Sequence, residues 1–185
     1  YGIPSFVMEK NIVQAEIDVL RAMGVEIKCG VEVGKDITIA QLREQGYKAF
    51  YVAVGCQGGR KTGVAGEDAK GVMTGVELLH ITTDDESYKL TGDTVVIGGG
   101  KVAIDVSRTS IRCGSHKVSQ VSLETRDIMP ALPEGIETAE SEGINIIGGW
   151  GPKEILTEDG KVTGIVFKKC TSVKDADGRF NPQYD

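Results

Sequence analysis

The sequence predicts an α/β fold, with one complete strand–helix–strand unit near its centre and a partial second α/β domain ahead of it. Three observations carry this prediction. Helix-spaced apolar residues alternate with short apolar runs through the first fifty or so residues. A glycine turn, Gly98-Gly99-Gly100, separates an apolar run from a helical one. An Asp-Gly pair at Asp159-Gly160 divides two strand-like runs near the end.

From Asn11 to Met23 the apolar residues Ile12, Val13, Ile17, Val19 and Leu20 recur at helical spacing, and Gly24 closes the helix. Val25–Cys29 alternates as a half-buried strand does. A short helix near Ile39–Glu44 leads through Gly46 to the apolar run Ala49–Val54, read as a second strand. That run ends at Gly55-Cys56-Gln57-Gly58-Gly59, and the stretch after it is glycine-rich and aperiodic. A domain boundary therefore falls near Gly58, dividing the chain into 1–58 and 59–185. A helix is expected over Gly75–His80, and a polar loop at Asp84-Asp85-Glu86.

Strand Thr94–Ile97, the glycine turn, a helix from Val102 to Arg112 ended by Gly114, and strand Lys117–Leu123 together make one βαβ unit. After Pro130 and Pro133 a short helix runs to Ser141, Gly143 stops it, and Ile144–Ile147 forms a strand. Glu154–Leu156 and Val162–Lys169 then flank a hairpin turn.

Composition excludes several function classes. Hydrophobic residues make up 40% and charged residues 26%, as in an ordinary globular chain, while 25 glycines in 185 residues is about twice the usual roughly 7%. A net charge of −6 and no basic patch argue against a nucleic-acid or membrane-surface binder. No apolar run approaches the roughly 18 residues that cross a bilayer, and no leader opens the chain, so the default setting is cytoplasmic. Cys29, Cys56, Cys113 and Cys170 lie far apart without a C-x-x-C pair; they are read as buried, inert thiols, and no metal site is expected. Because the chain starts at Tyr1 and stops just after a turn, it is read as a fragment.

The glycine turn carries the chemistry. A pyrophosphate needs backbone N–H groups converging on it without obstructing side chains, and a helix N-terminus behind it supplies about half a positive charge. Gly98-Gly99-Gly100-Lys101-Val102-Ala103 offers this. Gly98 permits the turn off the strand, Gly100 the close approach of phosphates, and Ala103 the packing of helix on sheet. This is the start of a Rossmann-like dinucleotide-binding unit, with a glycine turn in an unrelated α/β protein as the alternative. Gly98, Gly99, Gly100, Lys101 and Val102 are its candidate cofactor-binding residues.

At the end of the second strand Glu124 faces the adenosine ribose, 26 positions after Gly98. A carboxylate accepts hydrogen bonds from ribose hydroxyls and repels a 2′-phosphate, so NAD(H) is expected over NADP(H). The alternative for Glu124 is an exposed strand-end carboxylate. Arg126 either lies against adenine or phosphate or is solvated.

Other signals are weaker. Lys61-Thr62 lacks the preceding glycine of a triphosphate-binding loop, because Arg60 stands there. Asp84–Glu86 reads as solvated surface, and His80 and His116 lack neighbours at ligand spacing. Asp105 either complements the helix start or contacts the nucleotide-domain loops.

Tyr1-Gly2-Ile3-Pro4, the run ending Ala53-Val54-Gly55, the Gly63–Gly71 segment with Gly66-Glu67-Asp68, the glycine turn with Asp105, and Met129-Pro130-Ala131-Leu132-Pro133 occur together. Over almost its whole length the chain thereby resembles the small (beta) subunit of bacterial glutamate synthase and related flavin modules, including that of dihydropyrimidine dehydrogenase. The resemblance implies FAD/NAD(P)-binding domains of the glutathione-reductase type, in which hydride passes from nicotinamide to flavin and electrons leave through iron–sulfur clusters. By it, 1–58 is the later part of an FAD-binding domain, with Ala53, Val54 and Gly55 on the FAD side. Residues 59–185 are the pyridine-nucleotide-binding domain, truncated at its C-terminal end.

The partners it implies are an upstream FAD and iron–sulfur portion and a larger catalytic subunit. The FAD fingerprint and the cluster cysteines would lie upstream of Tyr1, so the fragment alone is expected to bind FAD poorly and to be inactive. The chain departs from the family in two places. Leu123 and Glu124 stand where NADPH-using members carry two basic residues, and Val54 stands in the middle of the usual Ala-Thr-Gly.

No catalytic side chain is assigned, since hydride transfer between two stacked rings needs positioning and no protein acid or base. The function expected is therefore an NAD(P)H-binding module of a flavoprotein oxidoreductase. The alternative is a module that holds or senses NAD(H) without transferring electrons.

Overall fold

The structure is a computed structural model that describes residues 2–185; Tyr1, which carried part of the resemblance, lies outside the described residues. The chain divides into two compact units. One is Ser5–Cys56; the other is Gln57–Asp185, with which the residues up to Pro4 group.

In the smaller unit, helix α1 (Lys10–Ala22) ends at Met23 and Gly24, the latter with a left-handed backbone. Helix α2 (Ile39–Glu44) starts at Thr38, whose hydroxyl accepts from the Gln41 N–H while the Gln41 side chain accepts from the Thr38 N–H. The expected strands at Val25–Cys29 and Ala49–Val54 do not form. A strand exists only with a ladder partner, and among the described residues 5–56 the sole bridge is Val33 to Ile37. The run is open to solvent, with Val54 74% exposed. Cys29, at the end of the first of these segments, and Cys56, two residues past the second, are exposed, so only Cys113 and Cys170 fit the reading of buried thiols.

In the larger unit, helix α3 (Gly75–Asp84) runs one turn beyond its expected end. The Thr82 and Thr83 hydroxyls donate back to the Leu78 and Leu79 carbonyls along it, and Asp84, expected in a loop, belongs to its last turn. Strand β1 (Thr94–Ile97), helix α4 (Lys101–Arg112) and strand β2 (Val118–Val121) form the βαβ unit. A 3₁₀ turn (Arg126–Ile128), helix α5 (Pro133–Ser141) and strand β3 (Asn145–Ile147) follow. The three strands pair in parallel in the order β1-β2-β3, with Val96 opposite Gln120 and Gln120 opposite Ile146.

Strands β4 (Trp150–Glu158), β5 (Lys161–Lys174) and β6 (Phe180–Tyr184) form an antiparallel meander. Its first turn places Asp159 and Gly160 at positive φ, as an Asp-Gly hairpin requires. The sequence reading anticipated only the middle of this hairpin, and β6 was not foreseen.

The core lies where α3, α4 and α5 cover one sheet face. Leu78, Leu79, Val96, Ile104, Val118 and Ile136 are all buried there. Helix α4 presents small residues to the core (Ala103, Ser107, Ser110), which lets it approach the sheet and α3 closely. Between the other sheet face and the meander is an apolar cleft of about 370 Å³ lined by Val95, Val121, Trp150 and Phe167.

Glu142, at the end of α5, ties that helix to α4. Its carboxylate accepts from Arg108 Nη2 at 2.7 Å and from Arg112 Nη1 at 2.8 Å, and these two guanidiniums hold its pKa down at about 2 against an ordinary 4.5. A carboxylate depressed in the folded state stabilises the fold above its unfolded pKa and loses that contribution as pH falls through the folded value. The window runs from about 4.5 down to about 2. Urea unfolding of the wild type should therefore show a loss of about 2 kcal/mol across that range, after allowing for the partial exposure of Arg112. Glu142→Gln should remove most of that pH dependence; an equally steep variant would contradict it.

Candidate nucleotide-binding site

β1 delivers the chain to the turn, where Gly98 donates its N–H to the Val121 carbonyl at 2.8 Å. Gly98 has φ +143°, and a Cβ there would stand 3.2 Å from the Cβ of Ala103. Gly98 and Ala103 thus keep the strand end and the first turn of α4 in contact. Gly100 caps α4 with an extended backbone and no side-chain hydrogen bond. The first N–H groups of the helix are left without intrahelical partners, the arrangement that attracts an anion. A Cβ at Gly100 would meet nothing within 4 Å, so the turn is open on that side.

Gly99 is the crowded position. A Cβ built on it would lie 2.8 Å from Glu124 Oε2, 3.0 Å from the Cβ of Ser122 and 3.4 Å from the Cδ of Pro130. The glycine turn and the half-buried Glu124 are therefore neighbours. The loop that carries Glu124 is held by backbone: its carbonyl accepts from Gly149 N–H at 3.0 Å and from the Ser122 hydroxyl at 2.8 Å, and the Ser122 carbonyl accepts from Trp150 N–H at 2.9 Å. Among the described residues no hydrogen bond or ion pair engages the Glu124 carboxylate.

The two candidate cations differ. Lys101, at the start of α4, places its ammonium 2.6 Å from Oδ1 of Asp105, a carboxylate only 5% exposed. Arg126 lies on the exposed 3₁₀ turn and makes a paired contact with Glu140 at 3.1 and 2.8 Å. That contact lowers the Glu140 pKa and raises that of Arg126. Val102 is exposed on the first turn of α4. Ala53, Val54 and Gly55 belong to the smaller unit, where they are exposed and outside regular secondary structure, with Gly55 at φ +70°. Burial raises the pKa of the Cys170 thiol, and the Glu124 carboxylate pushes in the same direction, so this thiol stays protonated.

Sequence reasoning gave no site role to Gln120, Ser107, Ser122 or Ala131. The Ala131 N–H donates to the Gly99 carbonyl at 3.1 Å. Gln120 Nε2 donates to the Gly98 carbonyl at 3.0 Å, and its Oε1 accepts from the Ser107 hydroxyl at 2.9 Å. The available signal was an amide between the valines Val118 and Val121 in the middle of a short strand. Lys61-Thr62 is no phosphate loop in the structure: Lys61 pairs with Asp68, and Glu67 accepts from the Thr62 and Gly63 N–H groups at 2.6 and 2.9 Å. Among the described residues no cluster of His, Cys, Asp or Glu could hold a metal ion, and no helix is long and apolar enough to cross a membrane.

No family model matches the chain. Individual proteins do. It is 34% identical over 188 residues to the NADP(+)-dependent formate dehydrogenase subunit beta of Moorella thermoacetica, covering 98% of this chain and 26% of that protein. It is 33% identical over 194 residues to the glutamate synthase [NADPH] small chain of Halomonas elongata, covering 99% and 41%. The chain thus spans less than half the length of either relative. Among solved structures, Mycobacterium tuberculosis FprA in complex with NADPH superposes with a TM-score of 0.73 at 18% identity, over 98% of this chain and 56% of FprA, which establishes the α/β fold of FAD/NAD(P)-binding oxidoreductases. Over nearly its whole length, this chain is homologous to part of the glutamate synthase small chains and of the oxidoreductases related to them.

Proposed function

We propose that the chain is the pyridine-nucleotide-binding part of a flavoprotein oxidoreductase, and that it takes NADH in preference to NADPH. The observation that carries this reading is the closeness of Glu124 to Gly99, a carboxylate beside a glycine turn that opens an uncapped helix. These residues fit a dinucleotide. The bare turn and the α4 N-terminus suit a pyrophosphate, and the unengaged Glu124 carboxylate suits a 2′-hydroxyl. Lys101 adds positive charge at the helix start, and Arg126 borders the loop that carries Glu124. The relatives' names specify NADP(+) or NADPH, so the cofactor preference separates this chain from them.

On this reading Gln57–Asp185 is the nucleotide domain and Ser5–Cys56 the later part of an FAD domain, with Ala53, Val54 and Gly55 on the flavin side. The fit to FAD is partial. Among the described residues 5–56 no glycine turn opens a helix, so the FAD pyrophosphate would be held by other residues. When both cofactors are bound, they supply the hydride chemistry, and the protein's work is to hold and orient the nucleotide. An upstream FAD and iron–sulfur portion and a larger catalytic subunit would carry the electrons onward.

Titration of the full-length protein with NADH and NADPH at low ionic strength tests this. NADH should bind the more tightly and bleach the flavin absorbance under anaerobic conditions. Binding without bleaching would favour a sensing module, and no binding of either nucleotide would sink the proposal.

A further inference from the structure

Gln120 stands at the centre of β2, with β1 on one side and β3 on the other. Neither its side chain nor that of Ser107 has any solvent exposure (0%). Its neighbours Val118 and Val121 are buried apolar residues of the kind such a strand favours. A buried amide persists there only because both ends are satisfied. The Gly98 carbonyl can only accept, so it must face the amide NH₂, and Ser107 must then donate to the amide oxygen.

This arrangement acts on the turn. In a trans peptide the C=O and the following N–H point in opposite directions, and none of the described peptide bonds is cis. Gln120 draws the Gly98 carbonyl inward, and the Ala131 N–H does the same to the Gly99 carbonyl. The N–H groups of Gly99 and Gly100 are thereby turned away from these partners.

We propose that Gln120, itself set by Ser107, is the positioning residue of the glycine turn: it locks the Gly98–Gly99 peptide so that the Gly99 N–H is presented to the nucleotide's pyrophosphate. The inference rests on the reading of the turn as the NAD(P)H site.

Gln120→Met tests it, because methionine nearly matches the shape and removes the amide, so that the Gly98 carbonyl and the Ser107 hydroxyl both lose this partner. In the full-length flavoprotein the dissociation constants and KM for both NADH and NADPH should rise about five- to tenfold, the worth of one hydrogen bond. Flavin content, kcat at saturating nucleotide and the ratio of the two affinities should hold, since Glu124 is untouched. Ser107→Ala should give a smaller rise of about two- to threefold, and it decides the matter if the methionine variant fails to fold. Unchanged affinity in the variants of a wild type that binds would overturn the proposal alone, as would a parallel loss of kcat and flavin content. A wild type that binds neither nucleotide would overturn the site reading first, and this proposal with it.

Discussion

Glu124→Arg reverses the nucleotide preference: NADPH affinity rises, NADH affinity falls, and the ratio of their dissociation constants inverts. In the wild type the Glu124 carboxylate lies against Gly99, beside the turn. A carboxylate about 5 Å from a 2′-phosphate costs roughly 3 kcal/mol per unit charge at an effective dielectric near 20. That corresponds to about a hundredfold in affinity, and less at physiological salt. Arginine exchanges this repulsion for attraction and removes the acceptor for the 2′-hydroxyl, so the two nucleotides move in opposite directions. Glu124→Gln, which only removes the charge, should bring them near parity. Because no hydrogen bond or ion pair holds the Glu124 carboxylate among the described residues, the fold should survive both changes. Isothermal titration with each nucleotide gives the ratio, and a ratio unmoved in the arginine variant would show that Glu124 does not read the ribose.

The other large effect is expected at Gly99. The carboxylate end of Glu124 could swing away from a new side chain, but Ser122 and Pro130 cannot. The Ser122 carbonyl and hydroxyl are both bonded, and Pro130 directly precedes the residue whose N–H holds the Gly99 carbonyl. Gly99→Val places a branched side chain in this space and must shift the turn, at a stability cost of about 2 kcal/mol. It should weaken NADH and NADPH alike by about a hundredfold or more, while leaving their ratio nearly intact. The two substitutions are thus distinguishable: one changes the ratio and the other the level. A folded Gly99→Val protein with wild-type affinity would show that the pyrophosphate lies elsewhere.

The central βαβ unit was readable because each of its signals is local. Thr94–Ile97 is an apolar run, the glycines follow at once, and the helix from Lys101 has its apolar and small residues on one face. The strands read at Val25–Cys29 and Ala49–Val54 fail for the opposite reason. The alternation of Val25–Cys29 and the apolar run of Ala49–Val54 are genuine, but a strand is completed by a ladder, and the bridge among the described residues 5–56 is Val33 to Ile37, outside both runs. The same limit explains the exposed Ile12, Val19 and Leu20 on α1, an apolar stripe that periodicity detects without showing what it packs on. Glu124 was found from its place after β2. Gln120 was not, because its partners Gly98 and Ser107 are 22 and 13 positions away in sequence.

Residue order alone settles what a few consecutive residues decide among themselves: the period of the apolar side chains, the glycines that permit a tight turn, the Asp-Gly hairpin and the start of a helix. Those rules act through backbone sterics and neighbouring hydrogen bonds, and they were enough to locate the glycine turn. Which side chains meet across the site was decided by tertiary structure. The parallel register of β1 on β2 sets Gln120 within reach of the Gly98 carbonyl. The loop pinned to Gly149 and Trp150 brings Glu124 over Gly99, and α5 draws Arg126 into a pair with Glu140. The physical reason is that these contacts join segments well separated in sequence, 14 positions for Arg126–Glu140 and 22 for Gln120–Gly98, and their geometry exists only once the core has packed.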